Sequence, residues 1–151
     1  MNHRSFYIIS GGIVSGVTDF ITQRYRKNEV DKKQTFQMAL CGSISNGVFI
    51  PKWYNFLHKR FGDITYKKVI ADQIIYAPFS ACFWITGGSI VKNYNPVEEI
   101  SKKLPTIWTV DLCFWPICNF IIFKFTPLLY QPYIVLCGDI VWNIFLSYIT
   151  H

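Results

Sequence analysis

Long stretches without charge constrain this chain more than any other feature of its sequence. Between Leu104 and Thr150, only Asp111, Lys124 and Asp139 carry a formal charge. A helix on the surface of a soluble protein would present a polar or charged face at every turn. The alternative, a buried hairpin of a soluble domain, needs other segments polar enough to cover it, and the sequence offers none. The stretch therefore predicts two apolar helices joined at a proline-containing turn.

Four or five segments of this kind follow one another along the chain. A bilayer core needs about 20 predominantly apolar residues in a helix, and no alternation typical of strands persists in any segment. Helices would satisfy their own backbone hydrogen bonds in lipid. We therefore predict an all-α fold: a transmembrane helical bundle of four spans, or five if the last two runs cross separately, in one integral membrane domain, residues 1–151. The runs lie between Arg4 and Arg24, over Gln34–Pro51, over Val69–Val91, and on the two sides of Pro127–Pro132.

The charged and aromatic residues fit a membrane better than nucleic acid. The net charge is +6 and aromatic residues make up 18% of the chain. The basic residues form short clusters between apolar runs, as expected for contact with lipid headgroups. Tyr and Trp concentrate where an apolar ring lies beside water. We expect the lipid bilayer as a partner and no nucleic acid.

The sequence contains no pattern that indicates an enzyme or a metal site. All five cysteines lie inside apolar runs, and an odd count without a CxxC pair argues against a disulfide framework or zinc. We expect them to be small core residues. The three histidines are scattered, and no Gly-rich phosphate loop or nucleophile motif is present. The expectation is a protein that is not an enzyme and has no cofactor.

Four of the apolar runs contain one aspartate each: Asp19, Asp72, Asp111 and Asp139. An aspartate at the centre of a membrane helix costs roughly 2.5–3.5 kcal/mol on insertion scales. Such residues should face the bundle interior or a water-filled cavity. They could line a solute path or form interhelical hydrogen bonds, and their spacing leaves both alternatives open. The candidate pore-lining or helix-packing residues are Asp19, Gln23, Asp72, Gln73, Asp111, Asn119, Asp139 and Asn143.

One group of these residues lies beside a proline. Asp72 and Gln73 stand one turn before Pro78, whose missing N–H would kink the helix and leave a carbonyl without its usual donor. Charged side chains near a constriction help many pores to select and gate their ions. Our hypothesis is that Asp72 helps to set a conducting state.

Motifs in a particular order connect the chain with a known family. The residues of these motifs are Asp19 to Gln23, Gly47, Trp53, Tyr54, Lys68, Asp72, Gln73, Pro78, Trp115, Pro116, Phe123, Pro127, Trp142, Asn143, Leu146 and Ser147. In these motifs, and over nearly its whole length, the chain resembles the small peroxisomal membrane protein family that includes the Mpv-seventeen protein of the mitochondrial inner membrane. The sequence departs from the family pattern at Thr18, Val48, Asn119, Ile122 and Gln131.

The resemblance implies both a membrane and a function. It implies an integral membrane protein with four spans that behaves as a weakly selective channel for small solutes. The alternative is a non-conducting structural or assembly factor of the mitochondrial or peroxisomal membrane. The mitochondrial inner membrane is the first expected location and the peroxisomal membrane the second. Small solutes are the expected ligands, and self-association stays open.

Overall fold

Helices form almost the whole of the chain. A computed structural model describes residues 3–27 and 29–150, with side chains over residues 4–26 and 29–146. No strand occurs in these residues, so the all-α prediction is confirmed. The helices are α1 (His3–Lys27); α2 (Lys32–Ile44), which continues through the π-helical turn Ser45–Phe49 into α3 (Ile50–Phe61); α4 (Thr65–Ala71), which continues through the π-helical turn Asp72–Tyr76 into α5 (Ala77–Lys92); α6 (Pro96–Phe125); and α7 (Gln131–Thr150).

Three of the described helices are long and apolar enough to cross a membrane: Arg4–Arg26, Thr65–Lys92 and Pro96–Phe125. Gln131–Leu146 is a shorter apolar helix within the described side chains. The run Gln34–Pro51, which we expected to cross as the second span, lies in a continuous helix from Lys32 to Phe61 but does not reach the hydropathy of the three candidate spans. Its amide and hydroxyl side chains lower the hydropathy although it carries no charge.

The distribution of residues between interior and surface fits a bundle in lipid. Among the described side chains, 17 polar or charged residues are buried beside 18 hydrophobic ones. Large apolar side chains lie on the outside instead; Ile13 is 58% exposed and Ile117 is 66% exposed. Water would penalise such a surface, whereas acyl chains match it. The multi-span membrane bundle predicted from the sequence is therefore confirmed.

We expected all five cysteines to be small core residues, and this prediction is wrong for two of them. Cys41 is buried, whereas Cys113 and Cys137 are exposed on the outside of α6 and α7. Both lie on apolar helix faces, so an exposed thiol at these positions meets the same surroundings as its exposed apolar neighbours. The sequence could not distinguish buried from exposed cysteines, because these helices are apolar on every side.

Close backbone contact joins α1 to α2. A Cβ atom added at Gly42 would lie only 2.5 Å from the carbonyl oxygen of Gly11 and 2.2 Å from Oγ of Ser15. The pair Gly12 and Gly16 also faces α2. Small residues allow membrane helices to approach closely and pack by van der Waals contact. The Gly12-x-x-x-Gly16 spacing in the sequence is thus used between two helices of the same chain.

We predict that Gly42→Ala destabilises the protein. The helix gains about 1 kcal/mol of intrinsic propensity from the change, but the methyl group would collide with backbone that cannot rotate away, and overpacking typically costs about 1–3 kcal/mol. Thermal unfolding in detergent measures the difference. Gly16→Ala is the matched control, because its methyl group would meet the Cβ of Ala39 at 3.1 Å and no backbone atom closer than 3.8 Å. Equal losses in the two variants would contradict the packing argument.

Candidate functional site

A small polar cavity lies between α3, α5, α6 and α7. Its free volume is about 40 Å³, which is room for roughly two or three water molecules. Each of its three aspartates lies seven or more residues from the end of its continuous helix, which is about 10 Å of helix. The polar lining consists of Ser45, Tyr54, Asp72, Tyr76, Ser80, Asp111, Asn119 and Asp139, and the apolar lining of Ile50, Ala77, Trp84, Trp115, Val135 and Trp142.

The carboxylate of Asp72 receives hydrogen bonds from several helices. The indole Nε1–H of Trp53 donates to Oδ1 at 2.7 Å, and Nδ2 of Asn119 donates to Oδ2 at 2.6 Å. The amide of Gln73 makes a longer contact to Oδ2 at 3.4 Å. The hydroxyl of Tyr54 in turn donates to Oδ1 of Asn119 at 3.1 Å. Asp72 therefore ties α3 and α6 to the helix on which it lies.

The backbone around Asp72 has an irregular form that Pro78 explains. The N–H of Ala77 donates to the carbonyl of Asp72, five residues back, and Pro78 has no N–H to donate. The carbonyl of Gln73 is thereby left without a helical donor. The indole Nε1–H of Trp108 donates to it at 3.1 Å. The carbonyl that we expected Pro78 to leave free is thus bound by a side chain of α6.

The other two aspartates of the cavity differ from Asp72 in their partners. Nδ2 of Asn46 donates to Oδ2 of Asp139 at 3.0 Å, which joins the first π-helical turn to α7. Asp111 is 7% exposed, and its Oδ2 has no hydrogen-bond partner among the described residues. A buried carboxyl oxygen without a partner is costly, and the room for water beside it offers one means of relief.

Asp19 and Gln23 lie outside the cavity and join α1 to α2. Gln23 donates to Oδ2 of Asp19 at 2.5 Å, and the hydroxyl of Thr35 donates to the same oxygen at 2.9 Å. Gln34 donates to Oδ1 at 2.8 Å. The backbone N–H of Asp31 donates to Gln23 Oε1 at 2.7 Å. This cluster is a helix-packing network.

Asn143 also packs helices. Its Nδ2 donates to Oγ of Ser15 at 3.1 Å and so joins α7 to α1. Of the eight polar candidates from the sequence, the structure brings together Asp72, Asp111, Asn119 and Asp139 at the cavity. Gln73 contacts the carboxylate of Asp72 with its side-chain amide.

Some motif residues of the family pattern, such as Tyr54, Trp115 and Trp142, line the cavity, and others lie elsewhere in the bundle. Gly47 lies against α1, where an added Cβ would stand 2.1 Å from Cγ1 of Ile8. The rings of Trp115 and Trp142 meet edge to face with centroids 6.1 Å apart, and those of Tyr54 and Phe123 do so at 4.9 Å. Pro116 lies inside α6, and Pro127 lies in the turn that leads to α7.

Sequence reasoning missed several residues of the site. Tyr76, Ser80 and Trp84 follow Asp72 at intervals of four, and this spacing places them on the same face of a helix. Their position could therefore have been found by extending the pattern from Asp72. Asn46 gave no such signal, because its contact with Asp139 joins residues that are far apart in the sequence.

Comparison with known proteins places these features in a family context. The family model "Mpv17 / PMP22 family" matches residues 92–147. Protein sym1 of Aspergillus oryzae is 25% identical to the chain, over 94% of this chain and 87% of the relative. The mitochondrial inner membrane protein Mpv17 of Drosophila melanogaster is 25% identical, over 89% and 86%. The peroxisomal membrane protein PMP22 of Arabidopsis thaliana is 25% identical, over 92% and 78%.

These relatives confirm the expected kind of membrane. No solved structure matches the chain. The relatives are proteins of the mitochondrial inner membrane and of the peroxisomal membrane, and the apolar helices fit an integral protein of such a membrane. The relatives thus include both locations that we expected from the sequence, the mitochondrial inner membrane and the peroxisomal membrane. The chain is thus similar to proteins of the Mpv17/PMP22 family, by a family model over residues 92–147 and by relatives that are 25% identical over most of its length.

Proposed function

We propose that the chain forms a weakly selective pathway for small solutes across its membrane and is not an enzyme. The observation that carries the proposal is the polar cavity inside the bundle, which is lined by aspartates from three different helical segments. Polar groups at such depth in membrane proteins commonly mark substrate or ion paths. A cavity of about 40 Å³ is too small for a solute to pass. It corresponds to a closed state, and conduction requires the surrounding helices to separate.

Asp72 is the residue that holds this closed state together. Its carboxylate is bonded to Trp53 of α3 and to Asn119 of α6, so these two segments cannot move away from α5 without breaking a hydrogen bond to a charged group. Bonds of this type contribute about 1.5–3 kcal/mol each. If such a bond exists only in the closed state, its loss would raise the ratio of open to closed molecules by roughly tenfold or more.

A non-conducting structural or assembly role is the second candidate. The cluster of Asp19, Gln23, Gln34 and Thr35 favours it, because in this cluster polar side chains of the same chain, three of them buried, join two helices by hydrogen bonds. If the cavity residues do the same, the protein holds other components in the membrane and passes nothing.

Solute efflux from liposomes separates the two candidates. We predict that liposomes containing the purified protein release entrapped urea faster than liposomes without protein. They should release sucrose more slowly than urea, because a weakly selective path discriminates by size. Heat-denatured protein reconstituted at the same ratio controls for leakage caused by insertion alone. Release at the rate of the denatured control would favour the structural role.

We predict that Asp72→Asn increases urea release several-fold. The substitution keeps the shape of the side chain but removes the charge, and its new NH₂ group cannot accept the hydrogen bond from Asn119. Release is measured per folded molecule, with the folded fraction determined by thermal unfolding.

Asp19→Asn is the matched control. It makes the same chemical change inside a membrane helix, but in the packing network of α1 and α2. It should lower thermal stability and leave release per folded molecule unchanged. If Asp72→Asn behaves in the same way as this control, Asp72 is also a packing residue and the gating role is wrong.

A further inference from the structure

An aromatic groove lies on the outer surface of the bundle, between α3 and the joined helices α4 and α5. Its volume is about 340 Å³, and it is separate from the polar cavity. Several of its side chains are exposed by half or more, including Phe56, Ile75 and Phe79. Apart from Tyr76, which is treated below, its lining consists of Phe49, Lys52, Trp53, Phe56, Ile75 and Phe79.

Ring contacts give the groove a defined shape. Phe49 meets Phe79 edge to face, with ring centroids 5.3 Å apart. Trp53 stacks on Phe56 at 5.4 Å and on Tyr76 at 5.7 Å. Aromatic pairs of this kind add stability beyond the burial of their surface. The groove is therefore a formed feature of the bundle surface.

Lys52 is the only charged residue in the lining. Lys52 is exposed and lies in the first turn of α3. No carboxylate of the described residues forms an ion pair with Lys52. Lysine side chains pack their apolar stem along apolar surface and keep the ammonium group in water or at the lipid headgroups. The anion available there is the phosphate of a phospholipid.

The inner wall of the groove is also the wall of the polar cavity. Tyr76 lines both spaces. Trp53, its stacking partner, lines the groove and donates its indole N–H to Asp72 on the cavity side. The hydroxyl of Tyr76 is buried and has no hydrogen-bond partner among the described residues. A single ring pair thus separates the outer surface from the cavity.

We propose that this groove binds a phospholipid of the surrounding membrane, with an acyl chain on the aromatic lining and the phosphate at Lys52, and that Tyr76 separates this lipid from the cavity. The groove supplies the two chemistries that a phospholipid needs, an apolar wall and an exposed cation. The proposal depends on the membrane location of the chain and does not require that the chain conducts solutes.

The first test uses photoactivatable lipids and full-length protein in liposomes. A phospholipid with a photoreactive acyl chain should label groove residues, mapped by mass spectrometry, several-fold more than the exposed α1 face at Ile13 and Val17. A diacylglycerol probe with the same acyl chain but no phosphate should lack this preference. Lys52→Gln should reduce labelling by the phospholipid to the level of the diacylglycerol. Lys59→Gln removes a charge from the same helix outside the groove and should change nothing.

The second test addresses the wall. Tyr76→Ala should join the two spaces, so that the acyl probe also labels Ser80 and Trp84 in the cavity. Tyr76→Phe keeps the ring, removes only the unpartnered hydroxyl and should leave labelling confined to the groove. If Tyr76→Ala does not fold, the comparison of Lys52→Gln with Lys59→Gln decides the lipid site alone.

Two results would overturn the proposal. The first is uniform labelling of the groove and of the α1 face by both probes, because a specific phospholipid site requires a preference for phosphate. The second is labelling of Ser80 and Trp84 in the wild-type protein, because the lipid would then already reach the cavity past Tyr76. Neither result depends on whether urea is released, so failure of this proposal and failure of the channel proposal are distinguishable.

Discussion

The polar core of the bundle depends on a proline inside a membrane helix, because this proline leaves a backbone carbonyl without a donor. Pro78 has no N–H, and Ala77 donates to the carbonyl of Asp72, so the carbonyl of Gln73 has no donor in its own helix. An unpaired carbonyl in lipid costs several kcal/mol. The indole of Trp108 supplies the missing bond and joins α6 to this point. The widened turn begins at Asp72, whose carboxylate is bonded to α3 and α6. One backbone irregularity therefore brings three segments together around the cavity.

The same arrangement occurs a second time in the chain. The turn Ser45–Phe49 ends just before Pro51, as the turn Asp72–Tyr76 ends just before Pro78, and the N–H of Ile50 donates to the carbonyl of Ser45. Its residue Asn46 donates to Asp139 of α7. Single π-helical turns are frequent at functional sites, because they change the direction in which side chains point. Here both turns supply polar groups to the interior of the bundle.

The sequence was sufficient to predict the helices, the membrane and the aspartates of the interior, because charge-free runs and isolated acids have few other physical explanations. It could not predict which acids meet. Asp19 and Asp72 have the same type of local surroundings in the sequence, yet Asp19 joins two consecutive helices and Asp72 lines the cavity. That difference arises from contacts between residues distant in the sequence, such as Asp72 with Asn119. Periodicity within one helix carries no information on such contacts.

Two of the buried acids, Asp19 and Asp111, differ in their hydrogen-bond donors although both are buried. Asp19 accepts hydrogen bonds on both oxygens from three neighbouring side chains, so its cost of burial is offset within the packing of α1 and α2. Asp111 is also buried and lines the cavity, but one of its oxygens has no hydrogen-bond partner among the described residues. Packing alone gives no reason to retain a carboxyl there, since an apolar side chain of similar volume would avoid the desolvation cost. In the solute pathway proposed above, such a carboxyl has a reason to be present, because it would meet water when the helices separate. The asymmetry between Asp19 and Asp111 therefore supports the proposal of a bundle that opens.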